Sequence, residues 1–148
     1  NPNIKLHMIG KLQTNKVKFA IKIFDFIHSV DSLKLAKKIA DEQIKQNRKL
    51  NLFIQVNIGS EHQKAGIGKS ELVNLYRYCK ELNLSVIGLM CIPPANEEVE
   101  KYFSQTNLLN KQLNFSELSM GMSSDYLKAA EHSSSYLRIG SSIFGKRT

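Results

Sequence analysis

Two segments near the end of the chain combine glycine with serine in a way that suits phosphate binding. One is Ser119–Asp125 (SMGMSSD) and the other is Arg138–Arg147 (RIGSSIFGKR). Glycine lets the backbone approach a ligand closely, and neighbouring serines add hydroxyl and main-chain donors for phosphate oxygens. Because each segment includes a short strand, we expect the two to form one shared anion site.

Individual residues of these segments take distinct roles in such a site. Ser123 could donate its hydroxyl to the phosphate, and the alternative is that it caps the helix that follows. The backbone amides of Gly140 and Ser141 could complete the cradle, with a contribution from the Ser141 hydroxyl. Arg138 lies two residues before Gly140, so both should face the interior. A surface ion pair is the alternative for Arg138.

Other polar and sulfur-containing residues give weaker signals. Asn57, at the carboxyl end of a predicted strand, could line the pocket or fix a turn. Met122 is expected in the core or the pocket wall. His7 near the start of a strand is expected to serve shape rather than chemistry. The remaining histidines show no spacing suited to a metal site or a catalytic triad: His28, His62 and His132.

Composition places the chain among folded proteins. It has 148 residues, of which 42% are hydrophobic and 23% charged, and we expect a single domain over residues 1–148. No apolar run approaches a membrane span and no signal pattern is present, so a cytoplasmic location is expected. Cys79 and Cys91 are predicted to be buried free thiols. The net charge of +8 comes from dispersed lysines, which argues against a dedicated nucleic-acid surface.

Short apolar runs alternate with amphipathic segments along the whole chain. The predicted strands are Ile4–Ile9, Phe26–Val30, Asn51–Ile58, Val86–Ile92, Leu118–Gly121 and Tyr136–Gly140. The predicted helices are Leu12–Phe24, one that Asp31 or Ser32 caps, Ser70–Leu82, one that Val99 and Leu113 delimit, and Asp125–His132. This alternation predicts a parallel sheet, and the repeat of about 25 residues is that of a barrel βα unit.

The number of repeats falls short of a closed barrel. A (β/α)8 barrel needs eight units, whereas six are found here. The chain starts with Asn1, and its first predicted strand follows almost at once. We therefore expect an incomplete α/β TIM barrel that lacks its first two units.

Several ordered motifs give the chain a specific resemblance. They are His7–Lys16 (HMIGKLQTNK), Ile27–Asp31 (IHSVD), Ile54–Ile58 (IQVNI), Gln63–Ile67 (QKAGI), Gly88–Met90 with Ile92–Pro93, and the two phosphate segments. Together they resemble the pyridoxal-phosphate homeostasis protein family, which is related to the amino-terminal barrel of alanine racemase. The resemblance covers nearly the whole chain.

The resemblance implies a barrel of fold type III that binds pyridoxal 5′-phosphate (PLP) at the carboxyl ends of its strands. It implies a role in PLP homeostasis or carriage without turnover chemistry, so no catalytic residue is expected. PLP-dependent apoenzymes could be recipients. An arginine at the position of Arg138 faces the pyridine nitrogen in relatives, which disfavours protonation of that nitrogen and weakens the cofactor as an electron sink.

The resemblance also identifies what this chain does not contain. Family members hold the PLP aldehyde as a Schiff base on a lysine near the end of the first barrel strand, which is not in this chain. Lys64 is the one resident lysine considered as a substitute. We therefore expect PLP to be held poorly or only through its phosphate. The open edges near Ile4 and Leu137 are expected to favour association.

Two other function classes are considered. A racemase or decarboxylase of the same barrel type would take an acid/base residue from an additional β domain. An open flavodoxin-like module that binds a nucleotide or RNA would need a glycine-rich loop after its first strand. The segment Gly10–Gln13 does not supply one.

Overall fold

The computed structural model describes residues 3–62 and 64–148, which contain one six-stranded parallel sheet. Asn1, Pro2 and Gln63, the first residue of the QKAGI motif, lie outside the described residues. The strands are β1 (His7–Met8), β2 (Phe26–Val30), β3 (Asn51–Gln55), β4 (Ser85–Met90), β5 (Glu117–Met122) and β6 (Tyr136–Arg138). Their order in the sheet follows their order in the chain.

A helix follows every strand. The helices are α1 (Val17–Ile23), α2 (Leu33–Gln46), α3 (Leu72–Glu81), α4 (Glu100–Gln112), α5 (Tyr126–Glu131) and α6 (Ser141–Phe144), with short 3-10 turns at Thr14–Lys16 and Lys69–Glu71. Ser32 caps α2, since its Oγ accepts from the amide of Leu35 at 3.1 Å. None of the described helices is long and apolar enough to cross a membrane.

The sheet curls so that its first and last strands approach each other across the concave face. The rings of His7 on β1 and Tyr136 on β6 lie 5.8 Å apart between centroids. Tyr136 also contacts Phe53 of β3 edge-on at 5.3 Å. This curvature confirms the prediction of an incomplete α/β barrel and leaves a cleft between β1 and β6.

The main core lies between the convex face of the sheet and the helices. Alternate strand residues are buried there, including Ile27, Leu52, Ile54, Leu89 and Leu118. The helices cover them with a second set of buried side chains, among them Ile21, Ile39, Leu75 and Phe103. Both thiols are buried and free, as predicted.

The structure corrects several predicted boundaries. Strand β1 is limited to His7–Met8, and β3 ends at Gln55 instead of Ile58 because the chain turns into the following loop. Strand β6 ends at Arg138, so Gly140 lies in the turn after the strand. The short helix α6 was not predicted, since its four residues give too little periodicity.

The sheet order also excludes one alternative architecture. In a flavodoxin-like sheet the spatial order of the strands is 2-1-3-4-5, so the side of the sheet on which strands are added reverses after the second strand. The sequential order of this sheet has no such reversal. The flavodoxin-like hypothesis is therefore wrong.

Candidate functional site

The two predicted phosphate segments meet at the carboxyl edge of β5 and β6. Ser123 Oγ accepts hydrogen bonds from the amides of Gly140 and Ser142 at 3.1 and 3.2 Å. The Ser142 hydroxyl donates to the Ser123 carbonyl oxygen at 3.3 Å. A Cβ placed on Gly140 would meet no atom within 4 Å, so open space lies beside this turn. At this junction, hydroxyl groups and backbone amides of the two segments therefore lie beside open space.

Arg138 lies on the floor of the same region. Its Nη1 donates to Ser119 Oγ at 2.6 Å and its Nη2 donates to the Cys91 carbonyl oxygen at 3.0 Å. Burial lowers the pKa of the guanidinium below its ordinary value, but arginine stays charged in proteins. A guanidinium has five N–H donors, and these two bonds leave others for a ligand.

Two histidines continue the polar line from Ser119 across the concave face. His28 Nδ1 lies 2.9 Å from Ser119 Oγ, and His28 Nε2 lies 2.9 Å from His7 Nδ1. Their rings are packed in an aromatic cluster: His7 stacks on Phe26 at 4.1 Å, and His28 stacks on Phe53 at 4.3 Å. Each imidazole thus has one stacked aromatic partner, which helps to fix the plane of its ring.

The electrostatics of the site keep its histidines neutral. Burial, followed by the proximity of His7 and Arg138, lowers the pKa of His28 to about 3. Burial also lowers the pKa of His7, against a smaller opposing effect of Asp25. Arg138 is therefore the principal positive charge on the floor of the cleft.

These groups line a cleft of about 840 Å³ between β1 and β6. Its wall includes residues of both phosphate segments and three members of the polar line, His7, His28 and Arg138. The lining residues are His7, Ile9, His28, Met122, Ser123, Ser124, Tyr136, Leu137, Arg138, Ile139, Gly140, Ser141, Phe144, Gly145 and Arg147. The volume lies in the range of small-molecule and cofactor sites.

The structure brings five of the six predicted site residues to this cleft: Met122, Ser123, Arg138, Gly140 and Ser141. The helix-cap alternative for Ser123 does not hold, because its hydroxyl binds the turn after β6 and Asp125 occupies the N-cap of α5. The ion-pair alternative for Arg138 does not hold either, since its bonds go to Ser119 and a carbonyl oxygen.

The sixth predicted residue, Asn57, lies elsewhere. Its Nδ2 donates to the Glu61 carbonyl oxygen at 2.7 Å, and its Oδ1 accepts from the Glu61 amide at 3.1 Å. Asn57 is not among the residues that line the cleft. Its side chain is satisfied within its own loop, so the turn-fixing role is the one that the geometry supports.

Sequence reasoning missed His28, Ser119 and Tyr136, and it assigned His7 to shape alone. Each of them lies at a strand position whose side chain faces the concave side. Their alternation with apolar residues of the convex core, such as Ile27 and Leu118, was a signal that could have identified them. The spacing of these residues along the chain could not identify them, because their hydrogen bonds join residues of different strands that lie up to 91 positions apart in the sequence.

The lining of the cleft includes arginines but, among the described residues, no lysine. Lys64, the considered substitute, lies in the loop after β3 and is paired with Glu61 at 4.0 Å, with 58% of its side chain exposed. It does not reach the site. In residues 3–62 and 64–148 no group of three or more His, Cys, Asp and Glu side chains is arranged to hold a metal ion.

Comparison with known protein families identifies the relatives of this chain. The model of the alanine racemase N-terminal domain matches residues 2–148. The chain belongs to this family. The motif resemblance is thereby confirmed at the family level, and the barrel fold agrees with it.

Curated relatives extend this result. The pyridoxal phosphate homeostasis protein of Aquifex aeolicus is 39% identical over 98% of this chain and 68% of its own length. That of Pasteurella multocida is 34% identical over 99% of this chain and 68% of its own length. The chain thus spans about two thirds of the length of these relatives.

Two solved structures share the fold of this chain. PipY of Synechococcus elongatus PCC7942, with PLP bound, has a TM-score of 0.89 and 32% identity over 97% of this chain and 72% of PipY. Alanine racemase of Clostridium difficile has a TM-score of 0.70 at 17% identity, over 98% of this chain and 41% of the racemase. The second likeness shows the shared fold alone.

Proposed function

We propose that this chain binds pyridoxal 5′-phosphate in the cleft between β1 and β6 and serves intracellular PLP homeostasis or carriage without turnover. The observation that carries the proposal is the contact of Ser123 with the Gly140 turn beside Arg138. Hydroxyl and amide groups of the two segments lie there at the mouth of a cleft that has Arg138 on its floor. The PLP-bound structure of PipY supports it.

The residues of the cleft fit the separate parts of PLP. Ser123, Ser141 and the amides of the Gly140 turn would hold the phosphate beside the open space at this turn. The Gly140 and Ser142 amides, which donate to Ser123 Oγ in the unliganded chain, would exchange that acceptor for a phosphate oxygen. Arg138 would face the pyridine nitrogen, and Met122 would form part of the wall. Bound PLP supplies an electron sink, and a permanent cation beside its ring nitrogen keeps that sink weak.

Binding through the phosphate is the mode that the described residues of the cleft support. The cleft as described offers no lysine amine for covalent attachment to the aldehyde. Phosphate recognition then carries most of the affinity. Carriage of PLP to PLP-dependent apoenzymes in the cytoplasm is part of the proposal.

A racemase-like enzyme is the alternative that the comparisons do not favour. The two curated relatives described above, at 39% and 34% identity, are pyridoxal phosphate homeostasis proteins. The enzymes among the structural neighbours are much more distant, such as a viral arginine decarboxylase at 13% identity. The buried His28 and the partly exposed His7 also share a hydrogen bond and have lowered pKa values, which leaves them poorly suited to exchange protons with a substrate.

A titration with two ligands tests the proposal. PLP and pyridoxal, which lacks the phosphate, are added to the purified chain and binding is followed by ligand absorbance and by equilibrium dialysis. We expect PLP to bind reversibly and pyridoxal to bind at least about tenfold more weakly, because hydrogen bonds to a charged group contribute about 1.5–3 kcal/mol. Equal affinity for the two ligands would contradict a phosphate cradle.

A pair of serine variants locates the cradle. Ser123→Ala removes the hydroxyl at the junction and should weaken PLP binding about tenfold while leaving pyridoxal binding unchanged. Ser104→Ala is the matched control, since Ser104 is an exposed residue of α4. An unchanged PLP affinity in Ser123→Ala would show that the phosphate lies elsewhere.

A further inference from the structure

Four polar side chains from four strands form a continuous hydrogen-bonded line along the floor of the cleft. The line starts at Arg138 on β6, passes through Ser119 on β5 and His28 on β2, and ends at His7 on β1. The three successive distances are 2.6, 2.9 and 2.9 Å. Its two ends, Arg138 and His7, are partly exposed at the cleft, whereas Ser119 and His28 between them are buried.

The chemistry of the first two members gives the line a direction. Arginine has donors and no acceptor, so Ser119 Oγ accepts from Arg138. Ser119 is fully buried, and a buried hydroxyl proton needs an acceptor. Among the described residues the acceptor that its hydroxyl reaches is His28 Nδ1. Ser119 therefore donates to His28.

The direction then passes through the two imidazoles. A neutral imidazole carries one proton, so His28 with an accepting Nδ1 has its proton on Nε2. That nitrogen faces His7 Nδ1 at 2.9 Å, which must accept. The lowered pKa of His28, about 3, agrees with a neutral ring. A cationic His7 would place two N–H groups against each other and break the bond.

We propose that Arg138, Ser119 and His28 act as a one-way hydrogen-bond relay that holds His7 as the neutral Nε2–H tautomer, so that His7 offers an uncharged donor to a ligand in the cleft. Ser119 and His28 are positioning residues in this scheme. An uncharged donor recognises an acceptor atom on a pyridoxal ring without adding a second cation near Arg138. The ligand part rests on the proposed function, and the tautomer part stands independently of it.

The tautomers can be read directly in the unliganded chain. Histidine labelled with ¹⁵N in the ring is incorporated, and long-range ¹H–¹⁵N correlation spectra are recorded at pH 7.5. Spectra of His7→Asn and His28→Asn assign the signals. We expect both His7 and His28 to carry their proton on Nε2. A proton on His7 Nδ1, or on both of its nitrogens, overturns the relay.

Two serine variants test the cause of the tautomer. Ser119→Ala removes the donor to His28 and should convert the His7 signal to a mixture of tautomers, while Ser119→Thr restores the hydroxyl and should restore the single form. Ser29→Ala is the matched control, because Ser29 is buried beside His28 and its hydroxyl has no hydrogen-bond partner among the described residues. A single Nε2–H tautomer of His7 in Ser119→Ala overturns the relay. The tautomer of His7 measured in the unmodified chain tests the relay even where a variant does not fold.

PLP binding tests the ligand part separately. Ser119→Ala should weaken PLP binding about threefold to tenfold through the disturbed His7 donor, whereas Ser29→Ala should leave it unchanged. If Ser119→Ala changes the tautomer of His7 but leaves the PLP affinity unchanged, the proposal that His7 donates to the ligand is overturned. Absence of PLP binding in the unmodified chain defeats the proposed function while the spectra still decide the tautomer part.

Discussion

At the scale of single residues, the candidate site depends on side chains whose charge state is set by burial. His28 shows this most clearly, since it is 1% exposed and lies between His7 and the cationic Arg138. A neutral His28 accepts from Ser119 and donates to His7 at the same time. Protonation would replace one of these bonds with a clash of donors.

The lowered pKa of His28 predicts how stability depends on pH. In the unfolded chain histidine binds a proton below about pH 6.5, whereas folded His28 does so only near pH 3. The unfolded state therefore binds more protons between these values, so this contribution to stability is complete above about pH 6.5. It falls as pH decreases toward 3, by up to about 1.4 kcal/mol per pH unit.

Urea unfolding at several pH values between 7.5 and 4 measures this effect. His28→Asn should flatten the decline of the unfolding free energy with decreasing pH. His62→Asn, at an exposed loop position, is the control and should keep the original slope. Identical slopes in all three proteins would show that His28 is not neutral in the folded chain.

The sequence identified residues of the phosphate segments better than residues of the cleft floor. Ser123 and Gly140 carry local signals, since glycine and serine types next to a strand end indicate an anion site. The role of Ser119 and His28 in the cleft floor was not predicted, because their partners come from other strands of the curled sheet. Asn57 was misplaced among site residues because strand-end position alone does not show which way the loop turns.

At the scale of elements, the end of β5 shows how the backbone sets the site. Gly121 has φ of +98°, a conformation that other residues rarely adopt, and an added Cβ would lie 2.6 Å from Ala129 Cβ of α5. This close approach packs α5 against the strand and directs the following residues toward the turn after β6. Ser123 reaches Gly140 from that position.

Gly121→Ala is therefore expected to destabilise the chain by about 2 kcal/mol or more, through backbone strain and overpacking. Gly10→Ala is the matched control, since an added Cβ there meets no atom within 4 Å. Chemical unfolding of both variants makes the comparison. A Gly121→Ala protein as stable as the control would contradict the described packing of α5 on β5.

The strands and helices were predicted with different accuracy, and the hydrophobic pattern of each element explains the difference. Strand β2 and the amphipathic helices were found because their hydrophobic periods are regular over five or more residues. Strand β1 was predicted too long, since Ile4 and Leu6 continue its apolar pattern but are exposed beyond the paired residues. Helix α6 has too few residues to show a period.

At the scale of the whole molecule, the open barrel leaves two edge strands in the described residues. Strand β1 pairs only with β2, and β6 pairs only with β5. Apolar side chains accompany both edges, with Leu6 exposed by 45% and Leu137 by 39%. Unpaired backbone groups beside apolar side chains favour pairing with another chain.

We expect the chain to associate in a concentration-dependent manner, as measured by light scattering after size-exclusion chromatography. Leu6→Lys with Leu137→Lys should reduce association, since charged residues block strand edges. Ile44→Lys is the control, because Ile44 is exposed by 80% on α2. A monomer at all concentrations, or equal effects of the edge and control substitutions, would contradict association through the edges.

The central claim is that the Ser123 junction and the Arg138 floor hold one phosphorylated ligand, and amide chemical-shift mapping with PLP tests it most directly. In ¹H–¹⁵N spectra of the labelled chain, PLP should move the resonances of Ser123, Gly140, Ser141 and Ser142, and pyridoxal should move them much less. Resonances of the α2 surface should stay in place. Shifts confined to other parts of the chain, or none at saturating PLP, would contradict the account.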